Sequence, residues 1–136
     1  MDEQKYNLDQ SLAEIDKLLV LSSKETDKTA YEALAEKARI IYEQYPESED
    51  IALRYAMTVV YLSGKQKSVE ERINTANSVK EIFERFKQSE DIASLYSMVL
   101  VNLSAKQENI EELLNTINSV KEIFESFKQS ETIALQ

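Results

Sequence analysis

The sequence predicts an all-α protein in which helical hairpins are stacked into an α-solenoid. Three observations predict this class. The 136 residues include one glycine and one proline, so the turns that a β-sheet of hairpins needs are scarce. Apolar residues recur at intervals of three and four, which is helical spacing. The chain also repeats itself every 41 residues, since Ile51-Ala52 recurs as Ile92-Ala93 and as Ile133-Ala134.

The repeats define the predicted organisation of the chain. Residues 51–91 and 92–132 align without a gap and are identical at 26 of 41 positions. Because solenoid packing requires only the core to match, identity that extends to surface residues indicates either a surface used twice or a recent duplication. The second explanation needs fewer assumptions. One domain over residues 1–136 is predicted, with units at about 10–50, 51–91 and 92–132 and the start of a fourth at 133–136.

Each unit is predicted to contain two helices. The first begins after a serine N-cap, at Ser48, Ser89 and Ser130, and in the middle unit it ends near Gly64. The second begins after Ser68 or its counterpart Asn109, each followed three residues later by a capping glutamate. Pro46 marks a helix stop. The predicted helices cover about 4–21, 27–45, 49–63, 69–87, 90–104 and 110–128, with a seventh beginning near 131.

Aromatic and sulfur-containing side chains supply much of the predicted core. Phe83 and Phe124 are expected to be buried at equivalent places between a hairpin and the following first helix. The predicted core also contains two tyrosines and two methionines of the first helices, Tyr55, Tyr96, Met57 and Met98.

Composition excludes several classes of function. The chain has neither cysteine nor histidine, so thiol chemistry and the commonest general base and metal ligand are missing. Its carboxylate pairs stand at helix N-termini, where they serve as caps, so we expect no enzyme, catalytic residue, metal or cofactor. A net charge of −9 makes this acidic protein unsuited to nucleic acid or to anionic membranes. Without a secretory signal or a membrane span, a cytoplasmic protein is expected.

The array of helix-turn-helix units resembles the tetratricopeptide-repeat superfamily. Pro46 stands where that family commonly has its proline, and Tyr55-Ala56 resembles the large-small pair of its first helix. The period of 41 exceeds the usual repeat of about 34 residues and is nearer to that of HEAT and armadillo repeats. The family's tryptophan is absent, and Lys87 and Lys128 replace the proline in later units. The resemblance implies a TPR-like superhelix that acts as a protein-interaction scaffold and holds ligands on its concave face.

A strip along the first helices is the predicted site for a protein or peptide partner. Its positions recur in successive units, and helical spacing places each set on one stripe. The strip is predicted to be one continuous face of mixed polarity made by Lys17, Arg54, Thr58, Tyr61, Leu95, Val99 and Asn102.

The alternative function is a structural module that associates with itself through the solenoid ends. The last second helix is predicted to keep part of its apolar stripe without a neighbour in the chain, and exposed patches of that kind mark interfaces. The residues expected in a homodimer contact at the C-terminal end are Ile117, Val120, Phe124, Phe127, Ile133 and Leu135.

Overall fold

The computed structural model describes the backbone of residues 2–135 and the side chains of residues 7–128. Within these ranges the chain forms six α-helices and no strand, which confirms the all-α class. The helices are α1 (Asp2–Lys24), α2 (Lys28–Gln44), α3 (Glu49–Ser63), α4 (Val69–Arg85), α5 (Glu90–Ser104) and α6 (Ile110–Leu135).

The predicted serine caps of α3 and α5 are confirmed. The Ser48 hydroxyl accepts a hydrogen bond from the Ile51 N–H at 3.2 Å, and Ser89 does the same for Ile92 at 3.2 Å. Two acidic residues follow each cap in the first helical turn, where they favour the positive end of the helix dipole.

The helices α2, α4 and α6 begin at caps spaced by the repeat. Ser68 accepts from the Glu71 N–H at 3.0 Å and Asn109 from the Glu112 N–H at 3.1 Å, which confirms both predicted caps. Asp27 occupies the same position one repeat earlier and accepts from the Ala30 N–H at 3.0 Å. The predicted helix began at about residue 27, so the role of Asp27 as an N-cap was not predicted.

A predicted helix boundary near residue 130 is wrong. Ser130 is not an N-cap and no seventh helix begins there, because α6 runs without interruption to Leu135. The same five residues, Phe-Lys-Gln-Ser-Glu, comprise the turn at 86–89 with the first residue of α5 in one repeat, and lie within α6 at 127–131 in the next. The turn at 86–89 lets α5 fold back and pack on α4. No described helix packs back in this way on the end of α6, so the intrinsic helical preference of the segment prevails there.

The chain divides into two compact units, Met1–Gln66 and Lys67–Gln136. In the first unit α1, α2 and α3 all pack on one another. In the second unit α5 packs on both α4 and α6. The boundary lies in the turn after α3, in the middle of the predicted repeat 51–91.

Each unit has its own apolar core. Burial of these side chains provides the main driving force for packing the helices. In the first unit the buried apolar residues are Ile15, Leu18, Tyr31, Ala35, Ala38, Tyr42, Ile51, Ala52, Tyr55, Ala56 and Val59. In the second unit they are Ala76, Val79, Ile82, Ile92, Ala93, Tyr96, Val99, Leu100, Leu103 and Ile123.

Some predicted core positions are confirmed and others are wrong. Tyr55 and Tyr96 are buried as predicted. Phe83 is half-buried, whereas its repeat counterpart Phe124 is 63% exposed, so the prediction of a buried Phe124 is wrong. Met98 was also expected in the core and is 51% exposed. Both errors concern side chains that no further helix of the second unit covers.

Candidate interaction surfaces

The two first helices of the N-terminal unit lie side by side. An ion pair joins them, with Arg54 Nε of α3 2.5 Å from Asp16 Oδ1 of α1. Arg54 also donates to the Asp50 carbonyl oxygen at 2.8 Å through Nη1. Both partners of the guanidinium lie within the first unit. The half-buried Arg54 therefore stabilises the packing of α1 on α3 more than it provides a cation for a ligand.

One member of the predicted strip in this unit is not at the surface. Thr58 is fully buried, and its hydroxyl donates to the Arg54 carbonyl oxygen at 3.0 Å. The expectation that Thr58 lies on a solvated stripe is wrong. Because both α1 and α2 pack on α3, the solvent-exposed stripe of α3 is narrower than its apolar pattern predicts. Tyr61 is 40% exposed, and Lys17 and Val20 of α1 are exposed as well.

The strip residues of α5 belong to the second unit. Val99 is buried, which contradicts its predicted surface position, since α5 is packed by helices on two sides. Leu95 and Asn102 are half-buried, and the Asn102 carbonyl oxygen accepts a hydrogen bond from the guanidinium of Arg72 on α4. Arg54 and Leu95 therefore lie in separate compact units, and a continuous face through both of them remains a prediction.

An open groove of about 740 Å³ runs along α1 and α2 of the first unit. Lys17 and Ala13 line it from α1, and Ile41 and Tyr45 border it on the α2 side. Sequence reasoning had assigned Lys17 to a strip of first helices and had missed the contribution of the second helix. The repeat could have indicated this contribution, because Tyr45 occupies the position of Phe86 and Phe127 and all three positions are therefore aromatic.

Among the described residues of the second unit, α6 exposes more large apolar side chains than α4 or α5 does. Ile117 and Phe124 are 50% and 63% exposed, while Val120 and Phe127 are half-buried. The side chains of Ile133 and Leu135, also predicted here, lie outside the described residues. Ile110 and Leu114 are exposed too and were missed, although successive spacings of four and three residues, from Ile110 to Leu114 to Ile117, continue the same helical stripe.

A second groove, of about 430 Å³, lies between α5 and α6. Its walls include Ser97 and Ala93 from α5 and Phe124 and Phe127 from α6. The buried Ser97 hydroxyl has no hydrogen-bond partner among the described residues. Its repeat counterpart is Ala56, so packing at this position does not require a polar side chain.

Titratable groups with shifted pKa values are few in the described part of the chain. Burial raises the pKa of Tyr55 to about 12 and also raises the pKa of Tyr96. On the exposed side of α2, hydrogen bonds from Arg39 lower the pKa of Glu36, and Arg39 also pairs with Glu43. These shifts arise from core packing and from a surface ion pair.

The described residues contain no group of three or more histidine, cysteine, aspartate or glutamate side chains placed to hold a metal ion. None of the helices in this part of the chain combines the length and the apolar character needed to cross a membrane.

Comparisons with protein-family models, with curated proteins and with solved structures found no match to this chain.

Proposed function

We propose that the protein is a non-catalytic scaffold of TPR-like helical repeats, arranged as an α-solenoid, that binds a peptide or helix of another protein along its first helices. The observation that carries this proposal is the pairing of α1 with α3 through Asp16 and Arg54. First helices of successive repeats thereby form one surface, which is the arrangement that a solenoid uses to bind extended ligands.

The chemistry of that surface suits a protein ligand. Tyr61 offers an amphipathic ring, Val20 an apolar contact and Lys17 a cation, and all three are exposed. Tyrosine provides a large contact area at a low cost in side-chain entropy, and it is enriched at the centres of protein interfaces.

A library of displayed peptides selected on the wild-type protein tests the proposal. The selected peptides are then measured by fluorescence anisotropy against the double variant Lys17→Ala, Tyr61→Ala. We expect their affinity to fall by about tenfold or more, because contacts at an interface centre dominate the binding energy. The matched control is Lys37→Ala, Ile40→Ala, which removes an exposed lysine and an exposed apolar residue from α2. Equal affinities for the two variants, or no enrichment of any peptide, would refute the proposal.

The second candidate function is self-association through α6. It is favoured by the exposed stripe that contains Ile110, Leu114, Ile117 and Phe124. Two copies related by a two-fold axis would cover this stripe most simply. Light scattering after size exclusion over a hundredfold range of concentration tests it, and a constant mass of one chain at every concentration would exclude it.

A further inference from the structure

We propose that the groove between α5 and α6 binds, in trans, a helix of the same pattern as α3. That pattern is a serine N-cap followed by isoleucine, alanine and tyrosine at three, four and seven residues beyond it, as in Ser48-Glu49-Asp50-Ile51-Ala52 and Tyr55. The proposal uses the face of the second candidate function and assigns it a different occupant.

The first unit shows how such a helix is held. There α3 packs on both α1 and α2, and the rings of Tyr42 and Tyr55 stack with centroids 5.2 Å apart. Two repeats further along the chain, α5 and α6 occupy the sequence positions of α1 and α2, and they also pack on each other. The first unit therefore serves as a template for this pair of helices, and no helix of the described second unit occupies the place that corresponds to α3.

Two of the exposed residues of α6 occupy positions that are buried on α2 in the first unit. Ala35, Ala38 and Tyr42 are buried in the first unit. Their counterparts two repeats later are Ile117, Val120 and Phe124, of which Ile117 and Phe124 are at least half exposed. The corresponding α6 surface is larger and more apolar than its template, because isoleucine replaces alanine at 117 and valine replaces alanine at 120.

On α5, an apolar residue stands at the position that contacts α3 in the first unit. Asp16 of α1, which pairs with Arg54 of α3, corresponds to Met98 of α5. Met98 is 51% exposed, and Val101 on the same helix is 56% exposed. An apolar residue thus replaces the charged one that meets the covering helix in the first unit. The occupant is expected to place an apolar residue at the position of Arg54, as α5 itself does with Leu95.

A second internal template supports the ring contact. In the second unit Phe83 of α4 lies against Tyr96 of α5, with centroids 5.4 Å apart. Residues 74–90 and 115–131, which include most of α4 and of α6, are identical at 15 of 17 positions. Phe124 is the third aromatic residue in this series and has no ring partner among the described residues. The tyrosine of the incoming helix would supply that partner.

Binding of a synthetic peptide tests the proposal. The probe has the sequence of residues 48–63 with Arg54→Leu and a fluorescent label, and its anisotropy is followed as full-length protein is added. We expect saturable binding that falls by about tenfold or more when the protein carries Phe124→Ala, and likewise when the peptide carries Tyr55→Ala. Circular dichroism verifies that Phe124→Ala remains folded. The control variant Ile40→Ala removes an exposed isoleucine from α2 and should bind the probe as the wild type does.

Three results would overturn the proposal. One is the absence of saturable binding, and another is binding that Phe124→Ala leaves unchanged. The third is a concentration-dependent dimer that Phe124→Ala abolishes and the peptide does not compete with, which would assign the face to a second copy. The double variant Lys17→Ala, Tyr61→Ala should leave peptide binding unchanged, so failure of the first-helix scaffold and failure of the α6 site can be told apart.

Discussion

The ring of Phe83 lies against the ring of Tyr96 with centroids 5.4 Å apart and planes inclined by 31°. One repeat earlier, Tyr42 and Tyr55 make the same contact at 5.2 Å and 23°. Pairs of this geometry add about 0.5–1.5 kcal/mol to the effect of burial alone. The contact therefore joins a second helix to the following first helix at a fixed place in the repeat.

The first prediction compares two phenylalanines in nearly identical helices. Phe83→Ala should lower the free energy of unfolding by about 3 kcal/mol, since it removes a packed ring and its contact with the ring of Tyr96. Phe124→Ala should change it by less than about 0.5 kcal/mol, since that ring is mostly exposed. Urea unfolding followed by circular dichroism measures both. Equal losses at the two sites would mean that Phe124 is covered within the folded chain.

The second prediction concerns the unpaired hydroxyl of Ser97. Replacing Ser97 by Ala removes a buried polar group without a partner and restores the residue found at Ala56. We expect the free energy of unfolding to rise by about 1 kcal/mol, from relieved desolvation and from the better helix propensity of alanine. Ser94→Ala, at an exposed position one turn earlier, controls for propensity alone. A Ser97→Ala protein no more stable than the Ser94→Ala control would contradict the prediction.

The third prediction follows from the buried tyrosine of α3. Burial raises the pKa of Tyr55 from its ordinary 10.0 to about 12, so the folded state keeps the proton that the unfolded state loses first. The stabilisation is fully present below pH 10 and is lost as the pH rises towards 12, with a fall on the order of 2 kcal/mol. Urea unfolding between pH 9 and pH 12 measures it. The Tyr55→Phe protein should show a smaller fall, and an identical fall in both proteins would exclude Tyr55 as the cause.

Local features of the fold could be predicted from the sequence because their causes are local. Ser48, Ser68, Ser89 and Asn109 cap helices through hydrogen bonds to residues three positions away, so a short sequence window contains the whole interaction. The 41-residue period likewise predicted which side chains occupy equivalent places, as the two ring pairs show.

Exposure could not be predicted in the same way, because it depends on which helices pack on which faces. Thr58 and Val99 were assigned to a solvated strip from their polarity pattern, yet α3 and α5 are each covered by two helices and bury these residues. Met98 and Phe124 were expected in the core because they repeat Met57 and Phe83, which are half-buried. Both are exposed, and no further helix of the second unit covers them. Thr58 and Val99 therefore leave the candidate strip, and its other members remain a prediction, namely Lys17, Arg54, Tyr61, Leu95 and Asn102.

The end of α4 and the equivalent place in α6 differ in structure although they share a sequence. Tyr45 and Phe86 have similar non-helical backbone angles, with φ/ψ of −132°/61° and −126°/54°. The turns that follow are closed by N–H donation from Ser48 to Tyr45 at 3.1 Å and from Ser89 to Phe86 at 3.0 Å. Pro46 occupies the second position of the first turn, and Lys87 occupies that position in the second. Lys128 is their counterpart inside α6.

The fourth prediction uses this difference in a matched pair of proline substitutions. Lys87→Pro should raise the free energy of unfolding by about 0.4–1 kcal/mol, because the turn already accommodates proline at Pro46 and the residue before it is not helical. Lys128→Pro should end α6 before residue 128 and destabilise its last turns by about 3 kcal/mol, because proline removes a backbone donor and clashes with the preceding turn. Urea unfolding measures the first effect, and NMR Cα chemical shifts of residues 129–135 report the second. If those shifts are already non-helical in the wild-type protein, α6 stops at the same turn as α4. A destabilising Lys87→Pro would instead show that the two turns differ in backbone geometry.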